Sequence, residues 1–167
     1  MRIRVYARVG RSERNIMKAD AMTQVCIHEA GHAVMMHLCG MKIKSIQVNR
    51  KSVESQKGCQ GTCQPIPKEV SLISHAKMAA AGSVAESIAF GGCPIRKLNK
   101  ITDSDDIENI MHVSNVVVKA RAAEKRRIVR LTVKVLSKHR DQIMAIAQEL
   151  DNNGKVNGKT IEQIMKR

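Results

Sequence analysis

His28, Glu29 and His32 form the string H-E-x-x-H inside a largely apolar stretch of the chain. Two histidines four positions apart fall on one face of a helix, roughly 6 Å apart at Cβ, so both imidazoles can reach one ion at about 2.1 Å. Glu29 points along the neighbouring flank, where it can take a proton from water without ligating the metal. The chemistry this favours is hydrolysis: zinc lowers the pKa of water towards ~7, and a carboxylate completes the deprotonation and carries the proton to a leaving amine. Gly31, within the same helix, costs about 1 kcal/mol relative to Ala, which implies close approach of a neighbouring backbone.

A catalytic zinc takes three protein ligands and keeps one position open. His37 lies five residues past His32 and turns away from the ligand face. The remaining candidates are carboxylates: Glu86, and Asp103, Asp105 and Asp106. The acidic run also suits a helix start, where carboxylates cap the backbone and complement the dipole.

The elements that must position these groups are mostly helical. Val25, Ile27, Ala30, Ala33, Val34 and Leu38 recur at helical spacing and predict a helix over 19–38, ended by Gly40. Lys42 to Asn49 alternates as a strand, and Gly58 to Gln64 is a second extended piece stopping at Pro65 and Pro67; the two could pair as a small sheet. A long Ala-rich helix is expected over 69–90, a loop over 93–102, and a third helix from near Ser104 to about Arg121. A basic helical stretch follows to Leu150, with or without a break. Asp151 to Gly158 reads as a turn, after which Thr160 caps a short helix to Met165. The fold class is mainly α with a small β-sheet, in one domain over 19–167 preceded by a basic extension over 1–18.

Apolar residues make up 43 % of the 167, yet there is one Phe, one Tyr and no Trp, so the core must be aliphatic. Cysteines at 26, 39, 59, 63 and 93 are odd in number and follow no leader pattern, which points to a reducing, cytoplasmic setting. The C-x3-C of Cys59 and Cys63 lacks a second pair to complete a structural zinc site. No stretch approaches the ~20 apolar residues of a membrane span. Lys and Arg number 29 against 15 Asp and Glu, a net charge of +14 that attracts acidic partners. Specific nucleic-acid binding is not expected, because no aromatics interleave the basic residues.

The string CIHEAGHAVMMHLCG resembles the zinc-binding helix of the peptidase domain in FtsH-type proteases, the AAA+ zinc proteases of bacteria and organelles. AAAGSVAESIAFGG resembles the small-residue helix of that family, SDDIENIMHVSNVVV its Asn-Asp-hydrophobic segment, and the stretch from Val135 to Met165 its closing helices. All occur in family order. The resemblance implies an FtsH-like zincin peptidase domain, a zinc metalloendopeptidase holding one Zn2+ per chain through His28, His32 and Asp106, with Glu29 as general base. Glu86 would orient a histidine, while Ser87 replaces the second acid of the family pattern. The piece around Gly61, Thr62 and Cys63 occupies the place of an edge strand beside the metal cleft, where a polypeptide substrate could add by β-augmentation. There is no Walker P-loop, so ATP-driven unfolding is not carried over, and a homo-oligomer or a separate ATPase partner stays open. The alternative is a catalytically silent adaptor or regulator with a basic binding surface.

Overall fold

The computed structural model describes residues 20–56, 60–91 and 118–167, with side chains from 122 onward in the last segment. The first helix, α1 (Ala21–Leu38), begins where Asp20 accepts a hydrogen bond from the Thr23 backbone N–H at 2.7 Å. It ends ahead of Gly40, whose φ of +76° is a conformation side chains resist. β1 (Ile43–Val48) follows, then α2 (Arg50–Ser55), capped by the Asn49 side chain, and β2 (Gly61–Pro65). α3 (Leu72–Ala89) starts from Ser71, whose hydroxyl accepts from the Ser74 N–H.

The C-terminal part comprises α4 (Val118–Leu136), a 3-10 turn at Ser137–His139, α5 (Arg140–Asn153), β3 (Lys155–Asn157) and α6 (Gly158–Met165). The three strands form one antiparallel sheet in the order β2-β1-β3. Ile46 sits opposite Cys63 on one side and Val156 on the other, with a register irregularity between Ile43 and Ser45. The centre strand is thus paired by one segment near it in sequence and another more than a hundred residues away.

α1 lies at the centre, packed on α3, α5 and the sheet. The approach to α3 is close because small residues face each other: a Cβ on Gly31 would fall 2.5 Å from Ala85 Cβ and 2.7 Å from the Ala81 carbonyl oxygen. The neighbouring backbone expected from this glycine is that of α3. Ile27, Val34, Ile46, Leu136, Ile146 and Leu150 interlock in one aliphatic cluster, each burial contributing about 1.5–3 kcal/mol. The buried residues of α5, Ile143, Ile146, Ala147 and Leu150, recur at helical spacing on one stripe.

The mainly helical character and the small sheet agree with expectation, and several details differ. α2 falls in what the sequence presents as a connection, since a helix of six residues with only Val53 buried leaves no periodic signal. β3 falls in the segment expected to be a turn; its three residues carry one buried side chain, Val156, and owe their strand character to β1. The cap of α6 is Asn157, whose side chain accepts from the Thr160 N–H at 3.0 Å, so Thr160 is the capped residue. The basic stretch breaks at the 3-10 turn, and α3 begins at Leu72 instead of Glu69. The extension over 1–18, the loop over 93–102 and the start of the third helix near Ser104 lie outside the described residues. Among the described residues no helix is long and apolar enough to cross a membrane.

Candidate metal centre

His28 and His32 stand one turn apart on α1, their ring centroids 4.7 Å apart and their planes at 71°. His28 Nδ1 meets Glu86 Oε1 at 2.6 Å, and His32 Nδ1 meets the Met78 carbonyl oxygen at 2.8 Å. A carboxylate and a carbonyl accept, so each Nδ1 carries the proton and, in the neutral rings, each Nε2 presents a lone pair. Those two Nε2 atoms face each other at 3.0 Å. Lone pairs at that separation repel unless positive charge lies within reach of both, and both nitrogens are within range of one ion at the 2.0–2.1 Å of a typical zinc–imidazole bond. This donor set fits zinc: two imidazoles, each fixed in its tautomer by an acceptor behind it.

α3 supplies both acceptors as well as the space. A Cβ on Gly82 would come to 2.5 Å from His28 Cδ2 and still closer to Nε2 and Cε1, so only glycine there admits the ring. Glu86, one turn further along α3, receives His28 on one oxygen and the Gln24 side-chain amide on the other, again at 2.6 Å. Sequence reasoning does not single out Gln24, on α1 one turn before His28. Its position on the same helical face, four residues ahead of His28, is the available signal.

Glu29 is 8 % exposed and lies against β2, where a Cβ on Gly61 would fall 2.5 Å from its Oε1. Burial pushes its carboxyl above the usual range, opposed by the charge of His28. A cleft of about 450 Å³ opens here, lined by His28, Glu29 and Glu86 with Gln24, Val25, Val53 and Gly61 among its walls. A buried carboxylate beside an imidazole in a cleft has a layout suited to proton transfer, and His32 is not among the cleft's lining residues.

The structure therefore brings together His28, His32, Glu29, Glu86 and Gly61. Asp106, with Asp103 and Asp105, lies outside the described residues, and among the described residues no group of three His, Cys, Asp or Glu side chains is placed to hold a metal. Thr62 and Cys63 belong to the edge strand but are not among the residues lining the cleft. The Thr62 hydroxyl is buried with no hydrogen-bond partner among the described residues, and Cys63 Sγ lies 3.5 Å from Met36 Sδ. Burial, with Glu29 adding to it, pushes the Cys63 thiol up to about 12. Cys59, its companion in C-x3-C, lies outside the described residues.

Compared with known proteins, the chain matches no family model, and no curated protein matches it either.

Proposed function

We propose that this chain is a zinc-dependent endopeptidase of FtsH-like type that cuts flexible or unfolded polypeptides. The observation that carries the reading is the pair of imidazole nitrogens facing each other at 3.0 Å, each ring held from behind by an acceptor on α3. When bound, zinc would polarise a peptide carbonyl and make water acidic enough to be deprotonated near neutral pH.

His28 and His32 would hold the ion, with Asp106 as the third ligand. Glu29 does the proton work. Its burial favours proton uptake against the opposing charge of His28, so it can accept a proton from the attacking water and release it to the departing amine. Glu86 keeps His28 in the tautomer that points Nε2 towards the ion. The backbone of β2 at Gly61 walls the cleft close to Glu29 and lies where an extended substrate would run.

The test combines metal analysis with cleavage. The purified chain should carry about one zinc, lose it in Asp106→Ala and keep it in Asp105→Ala. Casein should be cut by the wild type, and neither by Glu29→Gln nor after chelation. Equal cleavage in all three samples would reject the reading.

A second reading, a silent peptidase-like adaptor, is favoured by one feature of α4: Arg126, Arg127 and Arg130 line a groove together with Ala123 and Leu131, and the three arginines are exposed. Arg127 is paired with Glu124 at 2.7 Å, but the face remains strongly basic and suits acidic segments of a partner. One zinc per chain with no cleavage of any flexible polypeptide would favour this alternative.

A further inference from the structure

We infer that Gln24 is a positioning residue for the metal centre, acting on His28 through Glu86; the inference rests on the zinc reading above. The Gln24 Nε2 donates to Glu86 Oε2 at 2.6 Å while Glu86 Oε1 receives His28 Nδ1 at the same distance. An amide has one donor end, so a carboxylate partner fixes which way the Gln24 side chain points.

The physical need for such a group lies in the glutamate itself. The last torsion of a Glu side chain is broad and nearly two-fold, so a carboxylate held at one oxygen still swings about that contact. Held at both oxygens, it becomes a fixed bracket. Gln24 and His28 stand four residues apart on one face of α1, so a single carboxylate from α3 can span them. A neutral donor is also better suited here than a cation. A Lys or Arg at position 24 would compensate the charge of Glu86, whereas an amide leaves it directed at the imidazole. All three groups are part-buried, where water competes weakly for the same bonds.

The experiment measures zinc affinity of the full chain by competition with a chromophoric chelator, and the His28 tautomer in the zinc-free protein by nitrogen NMR. Gln24→Met keeps the length and removes the donor; Gln24→Ala is the second variant if methionine packs badly. Zinc affinity should weaken roughly threefold to tenfold, below or at the low end of the 10–100-fold typical for groups directly on a ligand. The Nδ1-protonated form of His28 should give way to a mixture. In a Glu86→Gln background the Gln24 substitution should add nothing, because the two act as one unit. Unchanged affinity and tautomer in Gln24→Met, or an undiminished loss on top of Glu86→Gln, would overturn the inference. A wild type that binds zinc but cuts no polypeptide sinks the peptidase reading alone. A wild type that binds no zinc overturns both.

Discussion

Replacing Gly82 with alanine separates site geometry from fold stability, because the added methyl meets a side chain and not a backbone. The new Cβ would lie 2.5 Å from His28 Cδ2, and carbon atoms rest at about 3.5–4.0 Å, so the ring must retreat from α3 by about 1 Å. Glu86 sits on α3 one turn beyond Gly82, so that retreat lengthens the 2.6 Å bond from His28 Nδ1 past the hydrogen-bond limit. Losing a charge-assisted bond costs about 1.5–3 kcal/mol, and alanine in a helix interior returns about 1 kcal/mol. The fold should therefore melt within about 2 kcal/mol of the wild type, a shift of at most ~8 °C for a chain of this size. Zinc binding should suffer in its own right, weakening at least tenfold, or about 1.4 kcal/mol. Chelator competition and a thermal melt on the same preparation read both quantities. Gly154→Ala is the control: nothing lies within 4 Å of its added Cβ, and its φ of +70° makes it costly to the fold but silent at the metal. A Gly82→Ala protein with wild-type zinc affinity would refute the reasoning.

Glu29→Gln should retain zinc and lose hydrolysis by about 10²–10⁴-fold, measured as cleavage rate against metal content. Gly61→Ala should displace the Glu29 carboxylate, since its Cβ would fall 2.5 Å from Oε1; turnover should drop while zinc stoichiometry holds. Gly31→Ala pits about 1 kcal/mol of helix propensity against 1–3 kcal/mol of overpacking on α3, and a melting temperature equal to or above the wild type would contradict the close packing of the two helices. Cys63, with its thiol pushed up to about 12 from an ordinary value of 9, is protonated in both states below pH 9 and ionises first in the unfolded chain above it. Its contribution to stability should therefore fall between pH 9 and 12, by at most about 1.4 kcal/mol per unit, and a Cys63→Ala variant should show a shallower alkaline loss in denaturant titrations.

The features readable from the sequence are those whose cause is local. α1 announces itself through apolar spacing and the stop at Gly40, and H-E-x-x-H inside that helix leaves little freedom for where the two imidazoles go. Gly31 likewise implies a close neighbour. What escapes reading depends on distant partners. β3 is a strand because β1 offers it an edge, and nothing within Lys155–Asn157 says so. α2 is too short to show a period. Gln24 looks like any polar residue in a first helical turn, and only the arrival of Glu86 from 62 positions away gives it something to hold. The proposed third ligand, Asp106, lies with Asp103 and Asp105 outside the described residues, and spacing alone does not separate neighbours in an acidic run or set them apart from Glu86.

The threading of the sheet has a consequence for synthesis on the ribosome. The histidine helix is covered on one side by α5, and the middle strand finds its second neighbour only in Lys155–Asn157, far downstream in the order of translation. A nascent chain that has already exposed both imidazoles and their partners on α3 still lacks the layer that backs the histidine helix. The named walls of the cleft all precede α5, but the support behind α1 waits for the distal segment to emerge, and a product cut short ahead of α5 would leave the ribosome with its motif intact and its histidine helix unbacked.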